Sequence, residues 1–434
     1  MKTKICSIVC VICLLVGCSF VLSSCNSNYA VGIQSAEINE NGELILIYSN
    51  GTEQNLGVVV GKDGADGSLN ITANGSSIPA ASSKGLRSAV SIVCNFQATV
   101  QQGGWRPGSG STTTKDYYSK GSGVIYQMDK TKGDAFIITN YHVVYDASSN
   151  TENGISNDIS VYLYGSEIEE KAIKATYVGG SLYYDIAVLR VEDSEILAAS
   201  SAGAVTVADS DTIVVGDSAI AIGNAQGLGI SSTSGVISVD SEYITMTAAD
   251  EKTKVSFRVM RVDTAINSGN SGGGLYDDEG NLIGIVNAKI VYDGVENIGY
   301  AIPSNVAVSI AENIIDYCYG TDTERVQRAF LGITVSALDS KAVYDSTTGL
   351  ISIKETVSVY EVSSESLADG VLQAGDILVS ATVGGNTTEI TRQYHIIDMM
   401  LDVRVGDVVT LHILRAGEEK TVSITITEDC LTAY

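Results

Sequence analysis

Histidine is scarce in this sequence: the 434-residue chain has three, His142, His395 and His412. Any chemistry that needs an imidazole base therefore has few candidates. Basic residues are also in short supply, 26 against 51 acidic ones, for a net charge of −25. That balance is the opposite of the electrostatic footprint that phosphate backbones select, so no nucleic-acid partner is expected. Cysteine is scarcer than its count of eight suggests, because Cys6, Cys10, Cys13, Cys18 and Cys25 all crowd the N-terminus. Cys94, Cys318 and Cys430 are too few and too scattered for a disulfide framework or a metal-ligand pattern, so neither metal nor cofactor is expected. Long 3.6-residue periodicity is missing between Ala89 and Ile302, which argues against a helical domain there.

The N-terminus has a short basic leader, Met1-Lys2-Thr3-Lys4, and an almost unbroken apolar run from Ile5 to Leu22. This pattern reads as an export signal over residues 1–24, with a retained signal anchor as the other possibility. Leu15-Val16-Gly17-Cys18 and Leu22-Ser23-Ser24-Cys25 both resemble lipid-attachment sequences. Cys25 is the better choice, since cleavage before Cys18 would leave Phe20-Val21-Leu22 exposed beside the anchor. The chain is then expected on the outer face of a bacterial membrane as a lipoprotein, or secreted. An acidic surface would repel anionic lipid, so attachment would come from the acyl chains. Residues 25–84 read as a small β-meander, marked by Asn41-Gly42 and Asn50-Gly51 turns, and a flexible Ser/Asn/Ala/Gly stalk. The collagen-like Gly61-Lys62-Asp63-Gly64-Ala65-Asp66-Gly67 is too short for a triple helix.

Chemistry enters at Asn267-Ser268-Gly269-Asn270-Ser271-Gly272-Gly273-Gly274. A serine hydroxyl is a poor nucleophile near neutral pH and needs a base beside it, with amides aimed at the oxyanion it generates. Gly269 can adopt angles a side chain forbids, so its N–H and that of Ser271 could converge on one point. Taken alone, the stretch has a second reading, a turn between strands. His142 supplies the base by elimination, because His395 and His412 lie beyond residue 390 in what reads as another domain. It ends the apolar run Phe136-Ile137-Ile138-Thr139, which places it at the end of an element. Asp185 heads a second apolar run, Ile186-Ala187-Val188-Leu189, where a buried carboxylate needs a partner such as an imidazole N–H. Alone it could simply start a strand.

The order His142, Asp185, Ser271 is that of the chymotrypsin arrangement, not of subtilisins or α/β-hydrolases. Thr139-Asn140-Tyr141-His142-Val143-Val144, Asp185-Ile186-Ala187-Val188-Leu189, Gly223-Asn224, Asp263-Thr264-Ala265-Ile266-Asn267-Ser268-Gly269-Asn270-Ser271-Gly272-Gly273 and Gly299-Tyr300-Ala301-Ile302-Pro303 together resemble the HtrA family of trypsin-like serine proteases. That resemblance covers roughly residues 85–428. It implies a mainly β fold, with a chymotrypsin-like double β-barrel over 85–320 followed by a PDZ-like α+β domain over 327–428. It also implies catalysis by His142, Asp185 and Ser271, with Gly269 and Ser271 forming the oxyanion hole. Ala265 stands where a trypsin-type pocket would hold an aspartate, so a small or medium aliphatic P1 residue is expected rather than a basic one. Asn270, where digestive relatives carry an aspartate, argues against activation by N-terminal cleavage. Asn287 and Ala288 read either as part of the strand that pairs with substrate or as a plain structural strand.

The polar stretch from Gly103 to Gly121 and the segment Asp250–Lys254 are expected to be loops near the site. Helices are expected over 304–317 and 393–403 from apolar spacing. Phe330, Leu331, Gly332 and Ile333 resemble the carboxylate-binding loop of a PDZ domain, where exposed amides would capture a peptide C-terminus while its backbone adds to the sheet. The implied partners are unfolded or misfolded exported polypeptides and peptide C-termini, and the implied assembly is a homotrimer. A non-catalytic peptide-binding chaperone or scaffold, and a processing protease with a single substrate, remain open at this stage.

Overall fold

A computed structural model describes residues 33–39, 43–58, 78–102, 111–288 and 298–433. The signal sequence, Cys25, the Asn41-Gly42 turn and the collagen-like triplets lie outside these residues. Two compact units divide at Thr72 and Ala73. The first holds an antiparallel three-stranded sheet, Ile33–Ile38, Glu43–Tyr48 and Glu53–Val58, in that spatial order. Its middle strand carries the apolar run Leu44-Ile45-Leu46-Ile47, of which Leu46 is buried.

The second unit is built on two closed six-stranded antiparallel barrels. In the first barrel, strands Ala89–Gln102, Ser111–Asp129, Asp134–Thr139, Ile186–Val191, Ile173–Ser181 and Asp158–Leu163 follow one another around the circumference. The second barrel uses Ser218–Gly223, Ser231–Thr247, Lys254–Val262, Gly299–Pro303, Leu282–Val286 and Gly274–Tyr276. Closure removes every free sheet edge, so the short apolar runs on these strands are buried. The helix Ser304–Cys318 packs against strands of both barrels and buries Val306, Ala307, Ile310, Ala311 and Ile314 at helical spacing. Gly179 permits this close approach, since a Cβ there would lie 2.9 Å from the Ile314 side chain.

Two expectations are corrected. The sequence places residues up to 84 in a stalk, whereas Ile78–Leu86 is a helix seated on the second barrel. The small residues that read as flexible are what let it lie close. A Cβ on Gly85 would come within 2.7 Å of Ile222 Cδ1, and Ala81 is buried. The segment 103–121, expected to be a loop throughout, is strand from Ser111 onward. It pairs in register from Gln102↔Ser111 to Ala89↔Val124, and ladder hydrogen bonds with a long partner override its polar composition.

The remaining residues form a smaller domain. A sheet in the order Ile333–Asp345, Leu350–Val362, Ile377–Val383, Val408–Arg415, Glu418–Thr425 packs under the helix Gln393–Asp402. Leu378, Leu411, Ile413, Ile396 and Met400 meet in its core. This helix is fixed to the second barrel through Arg258, which is 2% exposed. The Arg258 guanidinium donates to Asp398 Oδ2 at 2.6 Å and to Asp211 Oδ1 at 2.7 Å, and stacks 3.5 Å from the centre of the Tyr394 ring. Burial pushes the Asp398 carboxyl up to about 6, with Arg258 opposing that rise.

Arg258→Ala leaves Asp398 buried without its cation and is expected to cost about 3–5 kcal/mol, measured by urea unfolding. Arg258→Met combined with Asp398→Leu should recover most of that loss, because the uncompensated charge goes as well.

Candidate active site

The strand Asp134–Thr139 runs into a single helical turn, Tyr141–Val144. Val143 and Val144 are buried, while the preceding His142 stays partly open to solvent, with its side chain 19% exposed. Gly121 makes room for this turn, since a Cβ there would stand 2.6 Å from the Val143 methyls. Facing it, Asp185 occupies the bend between Ile173–Ser181 and Ile186–Val191 with φ +56°, a left-handed conformation that aspartate tolerates better than most residues.

The two segments are joined by several hydrogen bonds. The Asp185 carbonyl accepts from the Tyr141 amide at 3.2 Å and from Asn140 Nδ2 at 2.8 Å. Its carboxylate accepts from the His142 amide at 2.9 Å on Oδ1. On Oδ2 it accepts from His142 Nδ1 at 2.6 Å and from Asn287 Nδ2 at 2.8 Å. An ionised carboxylate only accepts, so Nδ1 carries the proton and Nε2 is left as the basic nitrogen. Three donors thus satisfy a carboxylate whose side chain is only 5% exposed.

Ser271 lies in the turn before Gly274–Tyr276, and its Oγ accepts from the Ala288 amide at 3.2 Å. A groove of about 370 Å³ is lined by His142, Ser268, Gly269, Ser271 and Ala288, with Lys120, Asp146 and Glu251 at its rim. Glu251 belongs to the segment 250–254, a turn leading into the strand Lys254–Val262. Gly269 has φ +96°, and a Cβ on it would fall 2.2 Å from the Asn224 carbonyl oxygen. The amides of Asn270, Gly272 and Gly273 donate to backbone carbonyls. Those of Gly269 and Ser271 donate to no acceptor among the described residues. The arrangement brings an imidazole, a hydroxyl and two uncommitted amides to one groove, the set that acyl transfer through a tetrahedral oxyanion requires.

Of the residues singled out from sequence, His142, Gly269, Ser271 and Ala288 therefore share the groove, and Asp185 stands behind His142. The Asn287 side chain is wholly buried and turns inward to Asp185. Alternation along a strand does not reveal which face carries a carboxylate. Ala265 is exposed and does not line the groove, while Ile266 packs toward Gly299, where a Cβ would lie 2.5 Å from Ile266 Cδ1. Asn140 was visible in the Thr139-Asn140-Tyr141-His142 stretch, but its bond to the Asp185 carbonyl depends on a contact across 45 residues. In the smaller domain, Leu331 is buried, Phe330 is half-exposed, and Gly332 and Ile333 follow at the start of the edge strand. Among the described residues no cluster of His, Cys, Asp and Glu could hold a metal.

Residues 121–285 match the trypsin-like peptidase domain. The serine protease Do-like HtrA of Lactococcus lactis subsp. cremoris is 31% identical over 83% of this chain and 85% of its own length. The chain belongs to the HtrA family of serine proteases. It is a serine endopeptidase, as are the HtrA relatives it matches. HtrA of Bacillus subtilis is 32% identical over 78% of this chain and 70% of that protein. The periplasmic serine endoprotease DegP of Escherichia coli K12 is 30% identical over 76% of this chain and 61% of its own length. Among solved structures, the HtrA-type protease AlgW with tripeptide superposes with a TM-score of 0.51 at 26% identity, covering 82% of this chain and 98% of that one.

Asn287→Ala removes one charge-assisted donor from Asp185. It is expected to lower kcat roughly 10- to 100-fold, from a loss of about 1.5–3 kcal/mol, with KM little changed. Steady-state kinetics on a peptide substrate measures this, and the corresponding loss should appear in the rate of fluorophosphonate labelling.

Proposed function

We propose that this HtrA-family protease cleaves misfolded or mislocalised extracytoplasmic polypeptides through His142, Asp185 and Ser271. His142 Nε2 takes the Ser271 proton as the hydroxyl attacks the scissile carbonyl, and later delivers it to the leaving amine. Asp185 holds the ring in the Nδ1–H tautomer and stabilises the imidazolium that forms. The Gly269 and Ser271 amides receive the oxyanion. The observation that carries this reading is the His142–Asp185 contact of 2.6 Å beside a groove that also holds Ser271 and two amides without acceptors among the described residues.

The smaller domain is proposed to be a PDZ domain that binds peptide C-termini at Phe330, Leu331, Gly332 and Ile333. In support, the amides of Leu331 and Gly332 donate to no acceptor among the described residues, and Ile333–Asp345 is an edge strand. Gly332 has φ +81°, and a Cβ on it would strike Ser366 at 2.1 Å, so this bend excludes a side chain. Beside this loop, the Arg328 guanidinium donates to the Tyr184 hydroxyl at 2.7 Å and to the Ile397 carbonyl at 3.3 Å. Export, acylation at Cys25 and a trimeric assembly complete the proposal and rest on the N-terminal sequence and the family likeness. No helix among the described residues is long and apolar enough to cross a membrane.

Wild-type protein should be labelled by a fluorophosphonate and should digest casein, and Ser271→Ala should abolish both. Labelling that persists in the variant would refute the assignment of Ser271, and labelling without casein digestion would favour a dedicated processing enzyme. A peptide with a free C-terminal carboxylate should bind the full chain, with its amidated counterpart at least about tenfold weaker, as expected for loss of roughly 1.5–3 kcal/mol of charge-assisted hydrogen bonding. Fluorescence anisotropy reads this difference, and equal binding would remove the carboxylate loop.

A further inference from the structure

Gly269 is the weak point of the proposed oxyanion hole. A glycine has no side chain to hold its own conformation, and rotation about its φ and ψ would swing its N–H out of the groove. What holds it comes from the first barrel. Ser122, on the strand Ser111–Asp129, is completely buried, and all of its polar atoms are engaged. Its amide donates to the Ser271 carbonyl at 2.8 Å, and its carbonyl accepts from Thr139 Oγ1 at 2.7 Å. Its hydroxyl accepts from the Asn224 amide at 2.8 Å and lies 2.6 Å from the Gly269 carbonyl oxygen. An amide N–H can only donate, so the single hydroxyl proton is committed to the Gly269 carbonyl.

The other side of Gly269 is tied as well. The Ser268 carbonyl accepts from the Gln226 amide at 2.7 Å. In a trans peptide the C=O and N–H point in opposite directions, so fixing the Ser268 oxygen on Gln226 also fixes the direction of the Gly269 N–H, away from Gln226. Gln226 itself sits at φ +55°, so this anchor is held in an unfavourable conformation. Both carbonyls that flank the two rotatable bonds of Gly269 are thus secured, one by Gln226 and one by Ser122.

We infer that Ser122 is a positioning residue for catalysis: its hydroxyl, oriented by the Asn224 amide, pins the Gly269 carbonyl and so keeps the Gly269 N–H aimed at the oxyanion. It touches neither substrate nor the reacting atoms. This inference rests on the reading that Ser271 is the nucleophile and Gly269 an oxyanion donor. The mechanical logic is that a preorganised donor stabilises the transition state without reorganising, whereas a glycine left free to rotate must be ordered in every turnover.

The test uses the full-length protein with Ser122→Ala, Ser122→Thr and Ser122→Val. Thr and Val add the same bulk and differ only in the hydroxyl, so crowding affects both while the inferred role separates them. Ser122→Ala should lower kcat about 10- to 100-fold, somewhat less than outright loss of an oxyanion donor, with KM within about twofold. Inhibition by a peptide boronic acid, whose tetrahedral adduct places an oxygen in the hole, should weaken by the same factor. Ser122→Thr should retain several-fold more activity than Ser122→Val. Unchanged kcat in Ser122→Ala, or equal losses in the Thr and Val variants, would overturn the inference. Failure of the underlying reading looks different, since fluorophosphonate labelling would then survive in Ser271→Ala whatever stands at 122.

Discussion

A carboxylate held out of water is the constraint on which this site depends. Asp185 is buried, carries a left-handed backbone, and receives three hydrogen bonds from two other segments of the chain. A carboxylate buried without such donors would be costly, and these three bonds offset that cost. The donors come from the turn after Thr139 and from the segment after Val286, so the carboxylate draws on both barrels. Barrel packing and the electrostatics of the site are therefore one problem, solved by the same contacts.

The hydroxyl side follows similar logic with neutral groups. Gly269 and Gly272 take positive φ and have no room for a Cβ, which lets the nucleophile turn pass within hydrogen-bonding distance of the first barrel. Tight approach removes the turn's ability to hold itself, and Ser122 and Gln226 supply that hold from outside. The helix Ser304–Cys318 packs against strands of both barrels. The Arg258 cluster then fixes the smaller domain to the second barrel.

Much of this was legible in one dimension. The strand runs and both longer helices were visible from apolar spacing, and the scarcity of histidine directed attention to His142. The Gly-rich nucleophile turn and the order of its partners pointed to the family. Illegible were features in which composition and structure diverge. Residues 78–86 look like a linker because they are small, yet small residues are what allow a helix to seat against Ile222. Ser111–Gly121 look like a loop because they are polar, yet a long partner strand fixes them.

The sequence by itself determined the chemistry available: one histidine outside the smaller domain, a serine among glycines, an aspartate at the head of an apolar run, and no basic surplus. Only the tertiary structure decided how those groups are wired. The inward turn of Asn287, the bond from Asn140 to the Asp185 carbonyl, and the bond from Ser122 to Gly269 link residues 102, 45 and 147 positions apart. A hydrogen bond depends on distance and angle in space, and neither is encoded in the spacing of residues along the chain.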